Sequence, residues 1–394
     1  MQPGIRIAVA GLIATAVAIG IGRFAFTPLL PMMQADAGVS LAAGGWLASA
    51  NYLGYLLGAL MPLAIRMPAA NTIRAGLVII GLATLAMGLA ENFTAWVVLR
   101  AVAGVACAWV LIFVFAWCLE RLASLRRPVL DALVFSGVGA GIAVVGALSI
   151  PLMRANVSSA QVWVVFGVIS LVFSAVTWRT FAPDEKGSSG LVARSRAGAP
   201  AWNADAIRLI FCFGVTGYGY IIPATFLPVM ARQAIHDPLI FGLSWPVFGA
   251  AVLGSTVIAA TFSAVVRSTR LWMGSQLVMA FGVMLPVFLP GIAGIVIAAV
   301  CVGGTFMVIT MLAMQEARKV AEPRPERLMA AMTAAFGLGQ IAGPVSVSYV
   351  VGDDGKFSAA LFTAGLLLSI SACVLYRVDL VNSRILERRI SHFR

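Results

Sequence analysis

The sequence predicts an all-α membrane protein of twelve transmembrane helices built as two six-helix halves, a 6+6 pseudo-repeat. Three observations predict it. Of 394 residues, 61% are hydrophobic and only 11% charged, more apolar material than one soluble core of this length can bury. Apolar runs of roughly twenty residues, each long enough to cross a hydrocarbon layer of about 30 Å, recur between charged breaks. The stretch GIGRFAFTPLLPMM at 20–33 also has a cousin 197 residues later, half the chain away. Aligning Pro31 with Pro228 equates Gly20 with Gly217, Gly22 with Gly219, Leu30 with Leu227 and Met33 with Met230, and sets Arg23 opposite Tyr220. Such an offset describes like-built halves related by an axis along the membrane normal.

The spans run approximately 7–31, 41–65, 75–90, 95–119, 131–153 and 160–181, then 208–231, 239–264, 271–289, 292–315, 328–351 and 357–376. The first outruns a signal-peptide core and carries Arg23 and two prolines in place of a small-residue cleavage site, so it is expected to stay. The second holds Asn51, Tyr52 and Tyr55 within WLASANYLGYLLGAL. The fourth sets Arg100, Gly104 and Cys107 at i, i+4 and i+7, a face of small residues that lets helices approach. Between the sixth and seventh, 182–204 is the longest and most polar break, rich in Gly, Ser, Pro and Lys/Arg. The expected units are therefore an N-terminal half at 1–181, a cytoplasmic loop at 182–204, a C-terminal half at 205–376 and a basic tail at 377–394.

The net charge of +12 is explained by where the charges fall. With the N-terminus inside, seven inner segments hold 22 Lys and Arg and the outer loops hold three, Arg154, Arg232 and Lys356. Positive loops stay in the cytoplasm, so both termini are expected there. The same spread, without an aromatic platform, argues against nucleic acid as partner and leaves the lipid bilayer.

Cys107, Cys118, Cys212, Cys301 and Cys373 are scattered through apolar runs without metal-site spacing, and read as buried free thiols. The two histidines, His236 and His392, fall in a loop and the tail, so no metal and no cofactor are expected. The spans offer no His, Asp or Glu to pair with a nucleophile, which argues against an enzyme. All fifteen acids lie in loops or at span ends, with Glu120, Asp131, Asp205 and Glu316 nearest a membrane edge. Trp46, Trp96 and Trp163 are placed where interfacial belts occur.

Arg23 and Arg100 are the two cations left inside the hydrocarbon. An intramembrane arginine costs roughly 2.5–3.5 kcal/mol at a helix centre and normally faces a bundle interior or wet cavity. Arg23 either meets an anion in a cavity, snorkels to the outer surface, or bonds to carbonyls freed by Pro28 and Pro31. Arg100 either bridges helices or joins Arg23. Two guanidiniums without a buried carboxylate suit an organic anion, since the planar fork pairs bidentately with carboxylate or phosphate.

Twelve spans, a basic central loop, the Arg100-to-Gly104 spacing and the 6+6 repeat resemble the major facilitator superfamily over the whole chain. That resemblance implies a bacterial cytoplasmic-membrane transporter, working by alternating access as a monomer, with helices 1, 4, 7 and 10 lining a central cavity. It places Arg23, Arg100, Tyr218, Tyr220 and 305–311 near substrate. GIGRFAFTPLLPMMQ, WLASANYLGYLLGAL and MTAAFGLGQIAGP are further similar to the bacterial group labelled YbfB/YjiJ. Two departures stand out. The family's inner-gate pattern after Gly58 has Pro62 for its Asp and Leu63 for its Arg, with Arg66 kept. The Gly-x-x-x-Gly-Pro motif of helix 5 appears only as Gly137 and Gly141 followed by Ile142, while helix 11 carries it complete as Gly339, Gly343 and Pro344.

The expected substrate is a small organic anion held by Arg23 with help from Arg100, and oriented by Asn51, Tyr52, Tyr55, Tyr218, Tyr220 and Gln340. The rival is efflux of neutral or amphiphilic drugs or metabolites, with 16 Met and 22 Phe as an adaptable apolar wall.

Overall fold

Lipid as solvent leaves helices to satisfy the backbone internally, and the architecture follows from that demand. The structure, a computed structural model, describes residues 3–65, 67–123, 125, 128–182, 203–235, 237, 241–262, 267–321, 325–351 and 357–391. Among these there are twelve long helices and no strands. The first, α1, has three parts: Pro3–Thr15, a π-helical turn at Ala16–Arg23, and Phe26–Asp36. The rest of the first half is α2 (Leu41–Ala64), α3 (Ala69–Met87), α4 (Phe93–Ala123), α5 (Pro128–Arg154) and α6 (Ser159–Thr177). The second half is α7 (Ala204–Ala234), α8 (Ser244–Phe262), α9 (Ser268–Phe288), α10 (Ile292–Val320), α11 (Pro325–Val350) and α12 (Ser358–Ser391). Ten meet the length and apolarity needed to cross a membrane. The other two, α2 and α8, are 24 and 19 residues long and complete the two sets of six.

Local chemistry sets the helix starts. Ser40 accepts from Ala43 N at 3.1 Å ahead of α2, Ser158 and Gln161 form a reciprocal capping box on α6, and Asn203 accepts from Ala206 N at 2.7 Å ahead of α7. Asp36 reaches across to accept from Ser159 N at 2.5 Å and its hydroxyl at 2.8 Å, tying the end of α1 to the start of α6. At the end of α1 the chain turns through Gly38 at φ +64°, where a side chain would be strained. Exposure is inverted relative to a soluble protein. Val165, Val168, Val172 and Val176 form an outward stripe on α6, while Phe166, Ser170 and Ser174 point in.

The halves meet through α1 with α7, α2 with α11, and α5 with α8. Repeat glycines do equivalent work in both: Gly20 lies against the Gly141 backbone of α5, and Gly217 against the Phe336 backbone of α11. Among the described residues, hydrogen bonds across the halves gather at the end of the bundle away from the N-terminus, the distal end. There Thr27 donates to Ala224 O at 2.9 Å, a pair separated by the repeat offset of 197 residues. Ser49 donates to Ile341 O at 3.2 Å, Ser348 to Ala42 O at 3.1 Å, and Arg232 to Pro31 O.

Several expectations change. The first span does not stop at 31 but runs to Asp36: Pro28 falls in the first turn of Phe26–Asp36, where its missing N–H costs little, and the helix continues through Pro31. The last helix continues past 376 to Ser391. Trp163 is 2% exposed and packs in the core instead of joining an interfacial belt, and Cys373 is exposed. Most of the central loop (183–202), Arg66, the side chain of Leu63, His236 and His392 lie outside the described residues.

Candidate functional site

The site begins with the break in α1. Pro28 cannot donate to Phe24 O, and Thr27 N takes that carbonyl at 3.2 Å, which removes Thr27 from its usual partner, Arg23 O. Carbonyls freed in a bilayer need donors. Arg100 supplies them: its two terminal nitrogens donate to Gly22 O at 3.2 Å and Arg23 O at 3.1 Å, and its guanidinium lies 4.9 Å from the Phe26 ring. Asn51 donates to Arg100 O at 2.9 Å and to Gly22 O at 3.4 Å, and Cys107 donates to Ala18 O at 2.9 Å. Gly104 admits this packing by lying against the Asn51 backbone. Arg100, Asn51 and Cys107 therefore clamp the broken helix, and the carbonyl end of the π-turn offsets the charge of Arg100.

Arg23 is left differently. It is 4% exposed, its guanidinium carbon lies 4.5 Å from the Tyr55 ring, 4.8 Å from Tyr52 and 5.4 Å from Phe24, and its Nε and Nη2 are buried without a hydrogen-bond partner. Rings on several sides hold a cation by quadrupole attraction but leave its N–H donors unspent. Among the described residues neither Arg23 nor Arg100 pairs with a carboxylate. Among the described residues Glu316 is the buried acid, 2% exposed, and it is engaged near the end of α10 by Ser268 and by Lys319 at 2.8 Å.

The facing wall comes from the second half. Tyr220, the repeat mate of Arg23, lies within its electrostatic reach and is fully buried. It stacks on Phe306 at 5.1 Å and Phe336 at 5.5 Å, and its hydroxyl accepts from Gln340 Nε2. Gln340 Oε1 is buried and unpartnered. An arc of rings joins the two repeat positions, from Phe24 through Trp245, Phe248 and Phe306 to Tyr220. Tyr218 is half-buried and shares a hydrogen bond with Ser346 at 3.0 Å. Tyr52 pairs its hydroxyl with Thr225 at 2.9 Å across the halves.

Arg23, Tyr52, Tyr55, Tyr220 and Gln340 thus gather in one region, Arg100 and Asn51 stand behind it on the backbone, and Tyr218 turns to α11. Phe306, inside the 305–311 stretch expected near substrate, belongs to the same region, as do Phe336, Thr27 and Thr225, which were not singled out in the sequence. A signal for two of them existed: Thr27 lies inside the 20–33 stretch, and Thr225 occupies the repeat position of Pro28. Among the described residues no cluster of three metal-binding side chains occurs.

Comparison with known proteins converges on the same class. Residues 15–376 match the family model described as "Uncharacterised MFS-type transporter YbfB". The "Uncharacterized MFS-type transporter YceJ" of Bacillus subtilis (strain 168) is 36% identical over 94 residues, 23% of this chain, and the match spans about a quarter (24%) of that relative. Crystal structures of the nucleoside transporter NupG and of a point mutant of it superpose with TM-scores of 0.70 over 96% and 95% of this chain and 99% of theirs, at 14% identity, a likeness of fold. Matched over nearly its full length, the chain belongs to the YbfB family of transporters in the major facilitator superfamily.

Proposed function

We propose that the protein carries a small organic monoanion, bound at Arg23 between the two halves and moved by their alternating access. One observation carries this: a buried guanidinium with Nε and Nη2 unspent and, among the described residues, no carboxylate paired with it. Such a group is costly to keep in a bilayer unless a ligand completes it, and a carboxylate does so with paired charge-assisted bonds. Arg100 directs both terminal nitrogens at carbonyls and keeps only its Nε unpartnered, so Arg23, with Nε and Nη2 both unpartnered, is the fork left for a ligand, and a single anionic group satisfies it.

The 22-to-3 charge bias supports a cytoplasmic-membrane orientation with both termini inside. In that orientation the hydrogen bonds at the distal end support a reading of the carrier as closed on its outer side. A second reading, efflux of neutral or amphiphilic compounds, draws on the ring arc from Phe24 to Tyr220, which offers an apolar body a wall.

The test is thermal stabilisation of purified protein by mono- and dicarboxylates, sulfonates, phosphates, nucleosides, neutral amphiphiles and cationic drugs. A ligand at a hundred times its Kd adds about 2.7 kcal/mol to the folded state. Monoanions are expected to stabilise wild type and to fail on a folded Arg23→Gln variant. Stabilisation by nucleosides, neutral or cationic compounds alone, or anion binding unchanged in Arg23→Gln, refutes the proposal.

A further inference from the structure

Tyr52 touches two things that a carrier must connect. Its ring lies 4.8 Å from the Arg23 guanidinium carbon, and its hydroxyl shares a 2.9 Å hydrogen bond with Thr225 of the opposite half. Both residues are buried, Tyr52 at 2% exposure and Thr225 at 0%. Next to this bond is the Thr27-to-Ala224 contact that closes the same seam. The other cross-half bonds, from Ser49, Ser348 and Arg232, involve no group that contacts Arg23. Tyr55 also covers Arg23 but makes no hydrogen bond to the second half among the described residues.

We infer that Tyr52 is the positioning residue that links occupancy at Arg23 to opening of the distal seam. The ligand half of this inference rests on the anion reading above. With the site empty, the cation holds the face of the Tyr52 ring, and the ring sets the hydroxyl on Thr225. An anion in the Arg23 fork neutralises the charge that attracts the ring and competes for its side of the guanidinium. The ring is then free to turn, and the seam loses a bond. A ligand shifts a conformational equilibrium only by its differential affinity for the two states, and displacement of Tyr52 supplies that difference.

The test reads the seam directly. In full-length protein in lipid nanodiscs, with Cys107, Cys118, Cys212, Cys301 and Cys373 replaced by serine, Ser49→Cys places a thiol at a seam position that is 4% exposed. Its modification by a membrane-impermeant maleimide reports opening. Acetate, lactate and benzoate serve as ligand probes. Tyr52→Phe removes only the oxygen and Thr225→Val only the hydroxyl, so if one fails to fold the other carries the test. Each is expected to raise reactivity without ligand by roughly three- to tenfold, the effect of one net hydrogen bond. The double variant should match the singles, because they share one interaction. Carboxylate should increase reactivity in the wild-type seam and add little in either variant, while its thermal stabilisation of Tyr52→Phe persists. Unchanged basal reactivity in both variants, or additive effects, overturns the role of Tyr52. Basal effects without any carboxylate response in the wild-type seam would overturn the anion reading and support Tyr52 as a seam residue alone.

Discussion

Replacing Arg100 separates a structural arginine from a ligand-binding one. Arg100→Gln deletes the bonds at 3.2 and 3.1 Å to Gly22 O and Arg23 O and leaves Asn51, at 3.4 Å, as the remaining donor to Gly22. Side-chain hydrogen bonds inside membrane proteins are worth about 0.6 kcal/mol on average and up to about 1.7, because the unfolded chain in the bilayer finds other partners. Two of them give a loss of about 1–3.5 kcal/mol. For a chain of this size that lowers Tm by roughly 1–4 °C. Arg100→Lys keeps the charge but offers a point donor in place of a fork, so it should lose about half as much. Arg23→Gln removes no hydrogen bond and exchanges a desolvated charge held by ring contacts for a neutral amide, two effects that oppose each other, so its Tm should change less than that of Arg100→Gln. Thermal unfolding of the three variants in one detergent, with carboxylate affinity measured on each, makes the comparison. If Arg100→Lys unfolds like wild type yet loses anion affinity, Arg100 is a ligand group and the clamp argument fails.

Other consequences are open to the same protein. A methyl group at Gly20 would sit 2.5–2.7 Å from the Gly141 backbone, so Gly20→Ala should cost about 1–3 kcal/mol of stability and lower the yield of folded carrier. Gln276 accepts from Thr216 at 3.0 Å and donates to Ser371 at 2.6 Å in a fully buried link between α7, α9 and α12, so Gln276→Leu should lower Tm by an amount equivalent to about 1–3 kcal/mol, without altering anion affinity. Since the described acids leave Arg23 without a carboxylate neighbour, counterflow in proteoliposomes should continue at equal pH on both sides, and strict dependence on an imposed proton gradient with a non-titrating substrate would contradict the site as drawn.

The fold was legible because the bilayer leaves little freedom: span length, loop charge and the 197-residue offset are properties of the chain alone. The distribution of work between the arginines was not. From sequence, Arg23 and Arg100 are alike, both cations in apolar helices at similar depth. What divides them is the break in α1 between the π-helical turn at Ala16–Arg23 and Phe26–Asp36, which leaves the Gly22 and Arg23 carbonyls to Arg100 and the Arg23 side chain among rings. The prolines hinted at freed carbonyls, but spacing alone gave no means of deciding which arginine would take them. The stacking role of Phe336, and of Phe306 within the 305–311 stretch placed near substrate by resemblance, was hidden for another reason. Phenylalanines on apolar helices look like lipid-facing or core residues until the tertiary fold stacks them on Tyr220.

The repeat explains why the site is asymmetric. Equivalent positions in the two halves start from equivalent backbones, with Gly20 and Gly217 packed on a neighbouring helix in the same way. At the next shared position the first half has Arg23 and the second Tyr220, so one side offers charge and the other a ring whose hydroxyl is held by Gln340. A ligand between them meets a fork on one face and an aromatic wall on the other. An anion with an apolar body fits both faces. A bare inorganic anion would fit only the first. Affinity should therefore rise along a series from acetate to benzoate at constant charge, by roughly 25 cal/mol for each Å² of apolar ligand surface buried. A flat series would mean that the rings serve only to pack the second half, and that Arg23 alone selects the substrate.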